Sequence, residues 1–191
     1  MRIGAILLAS LAWAGSLACS ASAEWQRVED PHFVAEDGSY SLELPLGWMR
    51  AEHALTRDGW EAQLITFNAG AVLEAASALA IDPGSPELLT ALEDELAAQP
   101  GVEVIDCRSV TLDALPGFRM HFTQEAPVDL EGDTGTPPGS AEMVLYGAVE
   151  GVTMYAFSFV NSRPETFDRD LEVFERMVAS FARREHAPSG P

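Results

Sequence analysis

The stretch TMYAFSFV, residues 153–160, limits the fold more than any other part of the chain. Successive side chains of a strand point to opposite faces. Here both alternating sets are largely apolar: Met154, Ala156 and Val160 on one side, Tyr155, Phe157 and Phe159 on the other. Such a strand needs cover on both faces, which places it in the middle of a layered domain.

Two amphipathic helices are available as cover. Residues 85–99 begin with Ser85 as a capping hydroxyl, Pro86 at the first helical position and Glu87 against the positive helix end. Leu88, Leu89, Leu92 and Leu96 form the stripe, and Pro100 and Gly101 end it. A second helix is predicted from a capping box of Ser162 and Glu165. Phe167, Leu171, Phe174, Val178 and Phe181 follow at spacings of four and three, with Arg183 and Arg184 favouring the negative end and Pro188 as a stop. Burial of those five side chains contributes about 10 kcal/mol before entropy costs.

The remaining alternation reads as strands. SYSLEL (39–44) places Tyr40, Leu42 and Leu44 on one face and is stopped by Pro45 and Gly47. Further strands are predicted in 60–68 and 77–82, while 69–76 fits a helical turn or a loop equally. Residues 102–112 and 117–125 read as a hairpin joined by DALPG, and 142–149 and 153–160 as another joined at Glu150 and Gly151. Between the hairpins lies the acidic, Pro- and Gly-rich loop 126–140. Strands interleaved with two separated helices predict an α+β chain, an α/β/α sandwich with a central antiparallel sheet flanked by helices.

The order of elements, with GSYSLELPLGW at 38–48, GVTMYAFSFV at 151–160 and VASF at 178–181, resembles the PsbP-like fold family. That family includes the photosystem subunit, a Ran-binding Mog protein and DcrB-type bacterial envelope lipoproteins. The resemblance covers roughly residues 33–183 at the level of element order and implies the same sandwich and an accessory or binding role. It implies no activity common to all members and carries over no metal-binding or GTPase-binding residue.

The first residues follow the plan of an export leader: Arg2, an apolar run from Ile3 to Ala14, then small residues. That run is too short to span a bilayer, and no second stretch of about 20 apolar residues follows. Two endings compete within SLACSASAEW (16–25). Cleavage after Ala23 satisfies the small-residue rule and yields a soluble product. Cleavage before Cys19, with lipidation there, is the alternative, and it matches only Ala18 and Cys19 of the usual pattern. The first ending is favoured and the second stays open. The expected organisation is a signal peptide (1–23), one domain (24–185) and a short tail (186–191), exported to the periplasm or beyond and tethered to a membrane if Cys19 is lipidated.

Charge excludes some partners. The chain carries 30 acidic side chains against 11 basic ones, all arginine, for a formal charge of −19. A surface this negative repels phosphate backbones and anionic lipids, so nucleic acid is not a partner to expect. Without a second cysteine in the mature chain Cys107 has no disulfide partner, and its strand context suits a small buried hydrophobe better than a nucleophile.

Local motifs for catalysis are missing. His32, His53, His121 and His186 lack metal-ligand spacing, and neither a nucleophile elbow nor a phosphate loop is present. A triad assembled from distant residues needs no local motif. Asp129, Glu131 and Asp133 alternate like calcium-loop ligands, but Thr134 replaces the turn glycine and Ser140 the final glutamate. They are candidates for an irregular cation site, against a solvated loop. Trp48, Trp60, Arg119 and His121 are candidates for a binding surface, against packing for the tryptophans and an ordinary exposed face for the other two. The sequence therefore points to a non-enzymatic envelope protein without cofactor that binds an unknown protein or assembly. The alternatives are a small-ligand module with a groove beside 126–140 and, more remotely, a hydrolase.

Overall fold

A computed structural model describes residues 24–57, 63–71, 82–125 and 140–184. The doubly apolar strand is β10 (Thr153–Asn161), with β6 (Gln63–Ala71) and β9 (Ser140–Glu150) on its two sides. Beyond β9 lie β8 (Leu115–Glu125) and then β7 (Val102–Leu112). Beyond β6 lie β5 (Ala54–Thr56), β4 (Met49–Ala51) and β1 (Gln26–Arg27), giving eight antiparallel strands in the order β1-β4-β5-β6-β10-β9-β8-β7. A second sheet of three strands joins β2 (His32–Val34), β3 (Tyr40–Glu43) and β11 (Ala182–Arg183), with β3 in the middle.

Each face of the large sheet has its own apolar layer. Helix α1 (Pro86–Ala97) buries Leu88, Leu92 and Leu96 against Phe118, Met120, Phe122, Leu145 and Met154. On the opposite face α2 (Pro164–Ala179) and the small sheet pack over Tyr146, Phe157, Phe159 and Phe67. Both faces of β10 are thus covered, as the double apolar pattern requires. Gly147 allows the Phe118 ring to lie directly on β9, since a Cβ there would stand 2.4 Å from Cζ of that ring.

Ser85 caps α1 as expected, accepting from the Leu88 amide at 3.3 Å, with Pro86 in the first turn. The capping box of α2 does not form as predicted. Its N-cap is Arg163, with no side-chain cap hydrogen bond. The reason is Pro164, which keeps the preceding residue extended (φ −113°, ψ 95°) and starts the helix one residue later. Asn161 instead accepts from the Arg163 amide at 2.7 Å and donates to Thr166 Oγ1 at 3.0 Å.

Arg183 does not sit at the helix end. The chain leaves α2 after Ala179 and enters β11, where Arg183 directs its main-chain N–H and Nε to the Asp113 carboxylate at 2.7 and 3.1 Å. Its Nη1 meets Glu150, so one guanidinium ties together the two hairpin turns. The first turn is tighter than the sequence suggested, and the second is as short as expected but shifted by one residue. Asp113 and Ala114, both at positive φ, join β7 to β8, and Gly151 with Val152 joins β9 to β10. Residues 77–81 of the strand predicted at 77–82 and most of the ambiguous 69–76 segment lie outside the described residues, although Ala69, Gly70 and Ala71 extend β6.

Candidate functional site

The face of β8 that bears Arg119, His121 and Thr123 is not an open surface. On β7 the residues on this side are Glu103, Asp106 and Arg108, and on β9 they are Glu142, Val144 and Tyr146. Helix α2 brings Phe167 and Glu175 onto it. Arg119 is only 6 % exposed, because a guanidinium can be buried when each of its nitrogens finds an acceptor. Nε donates to Tyr146 Oη at 3.1 Å, Nη1 to Asp106 Oδ2 at 3.1 Å and Nη2 to Glu175 Oε1 at 3.3 Å. Tyr146 Oη donates in turn to Glu175 Oε1 at 3.1 Å. Burial, and then the neighbouring Glu175 carboxylate, raises the Tyr146 phenol above its ordinary value, so it remains a donor.

His121 is packed one step along the same face. Its ring stacks on Phe167, with centroids 5.5 Å apart and planes 9° from parallel, and Nε2 lies 2.6 Å from Glu142 Oε1. Trp48, from the other end of the sheet, is 3 % exposed and carries the Arg57 guanidinium over its ring at 5.6 Å. Arg57 donates to Asp170 of α2 at 2.8 Å, and Asp170 is fully buried with Arg169 as its second cation. Trp48, Arg119 and His121 therefore do not form one surface. They belong to separate contacts beneath and beside α2, flanking the apolar stripe of Phe167, Phe174 and Val178. Trp60, Cys19, Ala23, Asp129, Glu131 and Asp133 lie outside the described residues, as does His186.

The other reactive groups are similarly committed. Cys107 faces α1, with its thiol 3.6 Å from the Leu89 carbonyl. Burial, followed by the Glu93 and Asp106 charges, pushes that thiol up to about 11, the opposite of what a nucleophile needs. His53 packs edge-on against Phe67 and Phe33. Among the described residues no three His, Cys, Asp or Glu side chains are grouped to hold a metal ion, and no helix is long and apolar enough to cross a membrane.

Among the described residues, a cavity and a sheet edge face solvent. A cavity of about 490 Å³ lies beside β1 and β4, lined by Glu24, Asp30, Glu36 and Glu52 together with Arg27 and Arg50. At the other end of the sheet β7 is the outermost strand, eleven residues long, and among the described residues no strand pairs with its outer edge. A bulge between Val104 and Asp106 displaces Ile105, which is 52 % exposed. Sequence reasoning missed this edge because alternation identifies a strand without giving its place in the sheet.

No protein-family model matches the chain, and no curated protein matches it in sequence. Solved structures do. Cyanobacterial PsbP (CyanoP) from Synechocystis sp. PCC 6803 superposes with a TM-score of 0.52 at 9 % identity, covering 89 % of this chain and 98 % of that one. PA94 of Pseudomonas aeruginosa, a protein of unknown function, gives 0.50 at 9 % identity, covering 81 % and 97 %. The Ran-binding protein Mog1p of Saccharomyces cerevisiae gives 0.49 at 10 % identity, covering 84 % and 96 %. The likeness to PsbP shows the fold: the chain has the PsbP-like α+β arrangement expected from its sequence.

Proposed function

We propose that this chain is an exported bacterial envelope protein that acts as a non-enzymatic accessory or protein-binding domain. The observation that carries the reading is where its polar side chains are used. Arg119, Tyr146, Glu175 and Asp170 spend their hydrogen bonds on fixing α2, while the long outer edge of β7 with Ile105 faces outward. Substrate chemistry needs polar groups converging on an accessible cleft, whereas partner recognition needs an accessible edge or face. The leader-like residues 1–23 support export, and cleavage after Ala23 to give a soluble form fits their small-residue pattern.

Crosslinked pull-down from envelope fractions with the processed chain tests binding: enrichment of a defined partner is expected, and enrichment of none counts against the reading. The form of the mature protein is tested by Cys19→Ser. Unchanged mature mass and unchanged partition into the aqueous phase are expected; loss of a lipid-sized mass would identify a lipoprotein.

The cavity beside β1 favours a second reading, a small-ligand module. Its acidic lining suits a cationic solute, while residues 126–139, beside which the sequence placed a groove, lie outside the described residues. A rise in melting temperature with spermidine that is lost in Glu52→Gln would support it, and no rise would dismiss it.

A further inference from the structure

The outer edge of β7 has a definite hydrogen-bonding phase. Leu112 and Leu115 flank a two-residue turn and so form the closing hydrogen-bonded pair of the hairpin. The next pair is Thr111 with Pro116, and Pro116 has no N–H to give, as a non-bonded pair requires. Counting on by twos, Thr111, Ser109 and Cys107 direct their N–H and C=O groups away from β8. A strand laid antiparallel along this edge would meet a row of donors and acceptors up to the bulge at Ile105.

The charge beside that row is acidic on balance. On the α2 side of the sheet, next to the edge, stand Glu103, Asp106 and Glu125, backed by Glu142 and Glu175. The guanidiniums there are Arg119, which is buried with each nitrogen bonded, and Arg108; both donate to Asp106 Oδ2, at 3.1 and 3.0 Å, so the remaining acidic charge nearest the edge is that of Glu103 and Glu125. On the α1 side Val102, Val104 and Cys107 form an apolar margin. A second copy of this chain would bring another acidic edge and another formal charge of −19 against this one. A basic strand would not.

We infer that the outer edge of β7 takes an extended protein segment with Lys or Arg at alternate positions, added as a further antiparallel strand. Backbone bonding to Cys107, Ser109 and Thr111 supplies the docking. The Glu103 and Glu125 carboxylates, both exposed, select for cations on one face of the incoming strand, and the margin of Val104 selects for apolar groups on the other. This rests on the reading of the chain as a protein-binding domain.

The probe is a blocked peptide of about nine residues alternating Lys with Val, compared with its Glu-for-Lys counterpart. Binding to the processed chain is read by calorimetry, and edge protection by amide hydrogen exchange. The Lys peptide is expected to bind at least about tenfold more tightly than the Glu peptide and to protect the amides of Cys107, Ser109 and Thr111. Ser109→Pro removes an outward N–H without touching the β8 pairing and should abolish that protection. If that variant does not fold, Glu103→Arg serves, with the preference for Lys over Glu expected to shrink or reverse.

Equal binding of the two peptides, undiminished binding to Ser109→Pro, or amides already protected in the free chain by one of its own segments would overturn the inference. So would concentration-dependent self-association that Ser109→Pro abolishes. Envelope pull-down with both chains separates the two levels. A partner captured equally by wild type and Ser109→Pro leaves a protein-binding domain without this edge, and no partner for either removes the broader reading as well.

Discussion

Cys107 shows how burial sets chemistry one residue at a time. Its thiol is raised from 9.0 to about 11, so the folded chain keeps a proton that the unfolded chain releases earlier. The stability associated with the neutral thiol is fully present below pH 9 and is lost as pH rises through 11. Urea melts across that window should show declining stability in the wild type and a flatter profile in Cys107→Ala. Alkylation by iodoacetamide at pH 8 should be slow in the folded protein and fast once it is unfolded. Gly147 illustrates the same tightness in purely steric terms. A methyl group at this position meets the Phe118 ring at 2.4 Å, so Gly147→Ala should destabilise by about 1–3 kcal/mol, against the usual benefit of removing a glycine from a strand. Denaturant midpoints measure it, and an unchanged midpoint would mean that Phe118 moves freely.

At the scale of elements, α2 is the piece on which the rest depends. Phe174 is fully buried at its centre, between Phe159 and Tyr146, with ring centroids 5.6 and 5.8 Å away. Phe174→Asp adds an unpaired charge there, and loss of the cooperative thermal transition is expected by calorimetry. The helix stripe, the cap of α1 and the doubly apolar β10 were all legible in the sequence, because each rests on a period of several residues that only one kind of element satisfies. The strands β1, β2, β4 and β5 were not, since two or three residues cannot display a period. The capping box at Ser162 was misread because Pro164 overrides side-chain capping by fixing the backbone. Arg119 and His121 looked exposed because alternation separates faces without telling which face a helix will cover. What hides them is a helix that follows after the whole of β9 and β10, together with carboxylates on β7, β9 and α2. The edge position of β7 escaped for a related reason, since strand order is a property of the whole sheet.

For the whole molecule, the charge of −19 and the absence of lysine give a surface that repels anionic polymers and favours basic partners. The PsbP-like scaffold holds this surface on a sheet covered by α1 on one face and by α2 with the small sheet on the other, with β7 at one margin. The claim most open to direct test is a division of labour within the molecule: Arg119 holds the fold, and binding takes place elsewhere. Arg119→Met removes the guanidinium that Tyr146 Oη, Asp106 and Glu175 accept from, and leaves Glu175 with the Tyr146 hydroxyl as its donor. A cost of about 1–3 kcal/mol is expected, because Glu175 is partly exposed and regains water. Melting temperature and captured partner per folded molecule should be measured together on this variant. A lower melting temperature with undiminished capture is the predicted result; an unchanged melting temperature with capture lost would contradict it and place the binding site at Arg119.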